Sequence, residues 1–216
     1  MRFVLLLLTV LAVPVQAEPL RVLAIGDSIL AWHKWTGRDI PAVMGDVLGA
    51  QVENDAVAGA RFSNTSTLGQ AIGFDVRAQF RRGAWDIVLV NGGANDFLAE
   101  CGCNACDAVL DGLIASDLTG DVPTFVAEML SSGAEVLWMG YYASARSGRF
   151  AGCRPYLVNY DARLARLADA TPGLTFVDSE AAMDRSRRAL FAFDGIHPSP
   201  EGARLIGTYL AQSIAR

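Results

Sequence analysis

The sequence predicts an α/β fold, a doubly wound parallel sheet with helices on both faces. Three observations lead there. Short apolar runs recur along the 216-residue chain. Most are continuous rather than alternating, as strands covered on both faces should be. Amphipathic stretches of helical spacing separate them, and such alternation implies crossovers between parallel strands.

Each element has its own signal. Residues 20–25 form the first expected strand, residues 51–56 a weaker one, and 87–90, 136–139 and 174–177 the remaining three. Residues 40–48 read as a helix capped by Asp39, with Pro41 in the first turn, where a missing N–H is tolerated. Residues 75–81 read as a short helix. Asp121 is a candidate cap for a helix with Pro123 in its first turn, running to Ser132 and stopped by Gly133. Residues 155–170 put Leu157, Tyr160, Leu164, Leu167 and Ala168 on one face. Residues 200–214 close the chain. There is no internal repeat or low-complexity linker, so residues 18–216 are expected to form one domain.

Residues 1–17 read as a signal peptide. Arg2 is a minimal positive region, and residues 3–13 are an apolar run too short to span a bilayer comfortably. Val15-Gln16-Ala17 follows as a cleavage site. The expected destination is the periplasm or the extracellular space, with no stable membrane span once the leader is removed; an uncleaved anchor is the alternative. The net charge is −5 and Lys34 is the sole lysine. An acidic chain without a basic run argues against nucleic acid as a partner.

The four cysteines are Cys101, Cys103, Cys106 and Cys153. An exported chain meets an oxidising compartment, so disulfides are the default. Three connectivities exist. Cys101–Cys106 with Cys103–Cys153 is favoured, because the first closes the least strained local loop. A four-thiolate zinc site is the rival, with poor spacing at Cys101 and Cys103.

Ligand sites in such sheets form outside the carboxyl ends of the strands. Ser28 follows the first strand after Gly26-Asp27, at a strand-to-helix turn that exposes a hydroxyl and aims a backbone N–H at a developing oxyanion. An N-cap serine is the simpler reading. Asn91 to Asp96 follows the third strand, and Asn95 there can offer a side-chain N–H; an ordinary strand-ending turn has the same composition. Tyr141 and Tyr142 follow the fourth strand and Asp178 the fifth. Asp194-Gly195-Ile196-His197 puts an acid three residues before an imidazole, so that it can fold back on one ring nitrogen and leave the other for a nucleophile. Alone, that spacing is equally a structural turn. The chain has one other histidine, His33, five residues after Ser28 and with no acid at a comparable offset. It reads as pocket wall or surface, and as the competing base. Gly59 is by itself a loop glycine.

Other mechanisms lack their parts. There is no Gly-x-Ser-x-Gly elbow and no Walker phosphate loop. Two distant histidines argue against a histidine-rich metal centre.

Taken together, Gly26-Asp27-Ser28, Gly59, Gly93-Ala94-Asn95-Asp96 and Asp194 to His197 resemble the ordered blocks of the SGNH hydrolases, the GDSL-type esterases and lipases. The resemblance covers essentially the whole of residues 18–216. It implies a three-layer α/β/α sandwich around a five-stranded parallel sheet, flavodoxin-like. It implies Ser28 as nucleophile, His197 as base, Asp194 as its orienting acid, and the Ser28 N–H, Gly59 N–H and Asn95 side chain as oxyanion hole. No metal or organic cofactor is expected. The first block reads Gly-Asp-Ser-Ile rather than Gly-Asp-Ser-Leu, a small change of shape.

The expected substrates are small-molecule, lipid or carbohydrate esters, with acetyl or short acyl groups, some on polysaccharide. Trp32, Tyr141 and Tyr142, with Trp35 and Phe62, are candidates for a substrate pocket, although aromatic residues beside a sheet more often build core. A lipase, thioesterase, lysophospholipase or sugar O-acyltransferase would use the same triad. A non-catalytic cell-envelope binding domain is the reading from another class.

Overall fold

A computed structural model describes residues 18–145 and 148–214; the expected leader, residues 1–17, lies outside them. The sheet contains β1 (Arg21–Gly26), β2 (Gln51–Asn54), β3 (Ile87–Asn91), β4 (Glu135–Met139) and β5 (Leu174–Val177). All neighbours are parallel and the order is β2-β1-β3-β4-β5. The α-helices are α1 (Ser28–Ala31), α2 (Ile40–Leu48), α3 (Thr67–Ala71), α4 (Ala94–Cys101), α5 (Asp107–Leu113), α6 (Asp121–Leu130), α7 (Arg154–Ala170) and α8 (Pro200–Ile214). Helix α2 packs on α8, while α5 packs on α4, α6 and α7.

Continuous apolar runs became the central strands. Val22 to Ile25 of β1 and every residue of β3 are buried. At the edge, β2 alternates exposed and half-buried residues, which is why its sequence signal was weaker. It stops at Asn54 rather than 56. The Asn54 Oδ1 accepts the Ala56 N–H at 3.1 Å, and this local turn takes the backbone out of the ladder.

Among the helices, α2 begins as expected. Asp39 Oδ1 accepts the Ala42 N–H at 3.1 Å, with proline in the first turn. Asp121 is not a cap: it is the first residue of α6, Gly120 precedes it, and the helix ends at Leu130 rather than Ser132. The expected helix at 75–81 is a single 3-10 turn, Arg77–Gln79. Asp75 Oδ1 takes the Arg77 N–H, and Gln79 turns away to bond Gly26 and Gly73.

The four cysteines pair as Cys101–Cys106 and Cys103–Cys153, with Cα separations of 5.5 and 4.5 Å, inside the range a disulfide spans. This pairing replaces the zinc alternative. Among the described residues no helix is long and apolar enough to cross a membrane.

Candidate active site

The site assembles at the carboxyl ends of β1 and β3, where Gly26 and Asn91 are register partners. Gly26 has φ +146°, and a Cβ there would lie 2.0 Å from the Asn91 carbonyl oxygen. No side chain fits such an approach. Buried Gln79 clamps the same residue, accepting the Gly26 N–H at 2.6 Å and donating to its carbonyl at 3.0 Å. The chain then turns into α1 with Asp27 as cap, its Oδ1 accepting the Ile29 N–H at 2.9 Å. Ser28 stands at the first position of that helix.

His197 is carried by a tight loop before α8. Its N–H and that of Ile196 donate to Asp194 Oδ1 at 3.1 and 2.9 Å. Its Nδ1 meets Asp194 Oδ2 at 2.5 Å, and its Nε2 meets Ser28 Oγ at 2.8 Å. Burial raises the Asp194 carboxyl, but the His197 bond and the two backbone N–H groups outweigh it and hold it below the usual carboxylate value. Ser28, His197 and Asp194 therefore form one hydrogen-bonded line. The Trp32 indole lies flat on the His197 ring, centroids 3.9 Å apart and planes 4° from parallel. One face of Trp32 is thus taken by the imidazole. His33 is turned elsewhere: its Nε2 lies 3.1 Å from the Pro198 carbonyl, so it braces the His197 loop and does not face Ser28.

Asn95 sits at the start of α4. Its Nδ2 donates to the Ala60 carbonyl at 3.0 Å, which fixes the amide plane and leaves its second hydrogen available. Gly59, at φ +85°, lines the same cleft. The loop that carries it is held by Asp96, whose Oδ2 and Oδ1 accept the Phe62 and Ser63 N–H groups at 3.1 and 2.7 Å. Burial pushes the Asp96 carboxyl up to about 6 despite those bonds.

Two adjoining spaces open at Ser28. The inner one is about 40 Å³ and is lined by Ile29, Ala94, Tyr141, Tyr142, Phe150 and Leu157, among others. A water needs roughly 10–15 Å³ on this measure, so the cavity holds a group of about three non-hydrogen atoms. The outer cleft is about 580 Å³ and includes Trp32, Gly59, Arg61, Asn95, Arg149 and His197.

Sequence reasoning located Tyr141 and Tyr142 beside the site but not their work. Both are buried. The Tyr141 hydroxyl donates to Asp27 Oδ2 at 2.5 Å and accepts the Ala94 N–H at 3.1 Å. It ties the Ser28 turn to the Asn95 turn. The Tyr142 hydroxyl donates to the Ile196 carbonyl at 2.9 Å. Phe62 belongs to the core, stacked over Trp138 at 6.4 Å. Trp35 is 92% exposed and lines a different groove. Asp27, Gln79, Arg61, Arg149, Phe150 and Leu157 were missed as parts of the site. Among the described residues, no cluster of three or more His, Cys, Asp or Glu side chains is arranged to hold a metal ion.

Comparison with known proteins gives a consistent picture. The sequence model of the GDSL-like Lipase/Acylhydrolase family matches residues 24–205. No curated protein matches. Among solved structures, a protein of Slackia heliotrinireducens assigned as an SGNH hydrolase is 21% identical, with TM-score 0.62, over 91% of this chain and 100% of that one. A carbohydrate acetylesterase family member from Sinorhizobium meliloti is 20% identical, with TM-score 0.59, over 90% of this chain and 97% of that one. A variant of an acetyl xylan esterase from Geobacillus stearothermophilus is 20% identical, with TM-score 0.63, over 90% and 94%. At these identities the likeness is one of fold.

Proposed function

The chain belongs to the GDSL-like lipase/acylhydrolase family, and is an ester-bond hydrolase; from that premise we propose that it is a serine esterase of short acyl esters, with Ser28 as nucleophile, His197 as general base and Asp194 as the acid that orients it. The observation that carries this reading is the unbroken line from Ser28 Oγ through the imidazole to Asp194.

In the first step Ser28 Oγ attacks the ester carbonyl carbon while His197 Nε2 takes the hydroxyl proton. The carbonyl oxygen becomes an anion, received by the Ser28 N–H, the Gly59 N–H and the free Asn95 hydrogen. Asp194, held ionised, stabilises the imidazolium through Nδ1. Collapse breaks the carbon–oxygen bond to the alcohol, and His197 returns the proton to that leaving oxygen. Water, activated by the same imidazole, then attacks the acyl-serine and releases the acid. Trp32 keeps the ring in the plane that both transfers need.

The small inner cavity supports an acetyl or similarly short acyl group. The structural neighbours described as carbohydrate acetylesterase and acetyl xylan esterase are compatible with an acetylated saccharide. We also propose that residues 1–17 direct export and that residues 18–216 act as a single domain. The two cysteine pairs support an oxidising destination. Hydrolysis of 4-nitrophenyl esters of increasing acyl length tests the activity. Turnover should be highest for acetyl, fall with chain length, and vanish in Ser28→Ala. A flat profile independent of Ser28 would overturn the reading.

A further inference from the structure

The outer cleft carries charge that ester hydrolysis itself does not require. Arg61 and Arg149 both line it, in a chain of net charge −5. The one acidic residue on that lining is Asp194, whose two oxygens are taken by His197 and Ile196.

Arg61 is fixed from both sides of its backbone. Its N–H donates to the Phe74 carbonyl at 3.0 Å and its carbonyl accepts the Val76 N–H at 3.4 Å. Its Nε is buried and has no hydrogen-bond partner among the described residues. Glu100 approaches that nitrogen to 3.9 Å, too far to bond it, and Asp96 is committed to the Phe62 and Ser63 N–H groups. Arg149 lies between β4 and α7, on a loop fastened by the Cys103–Cys153 bond and by the Ala145 N–H to the Gly195 carbonyl at 2.9 Å. Arg149 has no ion pair among the described residues.

The Arg61 side chain as a whole is 35% exposed, and with Nε turned inward its terminal N–H groups, which have no hydrogen-bond partner among the described residues, are the donors left to a ligand in the cleft. Guanidinium groups are suited to carboxylate and phosphate through paired N–H donors. The inner cavity accepts a small, largely apolar acyl group. An anionic substituent must therefore lie on the alcohol side of the scissile bond, in the outer cleft. Resting on the esterase reading above, we propose that the cleft selects short acyl esters whose alcohol portion bears a carboxylate or phosphate, held by Arg61 and Arg149.

The test compares kcat/KM for three mono-acetyl esters: of methyl glucoside, of the methyl glycoside of glucuronic acid, and of glucose 6-phosphate. At low salt at least one acidic ester should exceed the neutral one by about tenfold, the worth of one charge-assisted hydrogen bond. That excess should shrink with added salt, shrink again in Arg61→Gln and Arg149→Gln, and grow in Glu100→Gln. Preference for the glucuronate alone points to acidic saccharides, and for the phosphate alone to sugar phosphates; either supports the proposal. Because the readout is a ratio on one preparation, a fraction of misfolded variant does not mimic the effect. Equal turnover of acidic and neutral esters by the native protein, or an unchanged ratio in the double variant, overturns the proposal while Ser28-dependent hydrolysis keeps the esterase reading intact. Absence of Ser28-dependent turnover of all three overturns both.

Discussion

Asn95 shows how one side chain is prepared for the role proposed for it. The Ala60 carbonyl occupies one of its two amide hydrogens and aims the other. Removing it should leave the fold intact and lower kcat by about 10²–10³, the usual loss for one oxyanion donor; steady-state kinetics beside a near-UV circular dichroism spectrum check this. Leu157 closes the inner cavity from α7 and is buried. Leu157→Ala should widen the accepted acyl group, raising the ratio of butyryl to acetyl turnover, at a stability cost of about 2–5 kcal/mol for a truncated core leucine. A chain-length profile and a urea titration read the two effects separately. At this scale the sequence was legible where partners are close: Asp194 and His197 are three residues apart and their spacing announced the pair. It was not legible for Tyr141, which meets Asp27 across 114 residues, or Gln79, which meets Gly26 across 53. A tyrosine after a strand and a glutamine in a polar segment carry no local mark of such work.

Elements set the surroundings of those residues. The β4–α7 loop is pinned to α4's C-terminal end by Cys103–Cys153, a link across 50 residues. In the chain-entropy account such a link is worth about 4 kcal/mol, against about 2 for a five-residue separation such as that of Cys101–Cys106. The Cys103→Ser/Cys153→Ser double variant should therefore lose more stability than Cys101→Ser/Cys106→Ser, as read by denaturant unfolding. Helix α7 also points Asp161 at the Tyr141 N–H, 3.1 Å away, while its other oxygen is buried without a partner. Burial raises that carboxyl well above its ordinary value. The folded state then holds a proton that the unfolded chain has released. Its contribution is complete below about pH 4, the unfolded value, and is lost as pH rises through the folded one. Asp96, at about 6, acts in the same direction. Asp161→Asn should match the native protein near pH 4 and gain on it as pH rises above the unfolded carboxylate value, in urea unfolding; a constant difference from pH 4 upward would contradict the assignment. Central strands were legible as continuous apolar runs, and α2 and α8 by their bounds. The 3-10 turn at Arg77–Gln79 was not, because its side chains serve Gly26 and Asp75 rather than a helix.

For the whole molecule, the order of elements explains the site better than any single motif. Parallel strands β1 and β3 are neighbours although β2 lies between them in sequence, so the Ser28 and Asn95 turns emerge side by side, and the loop before α8 brings His197 to meet them. Alternating segment types made the sheet legible; the individual motifs each had an ordinary structural explanation until their order was read as a set. The inner cavity and the two cleft arginines were invisible in sequence because they are gathered from several distant segments. The central claim is that Ser28 carries the acyl group. It is tested most directly by rapid quenching with 4-nitrophenyl acetate, intact-protein mass spectrometry and peptide mapping. One acetyl group should appear on Ser28 and on no peptide of Ser28→Ala. An acetyl group mapped to another residue, or native turnover in Ser28→Ala, would contradict it.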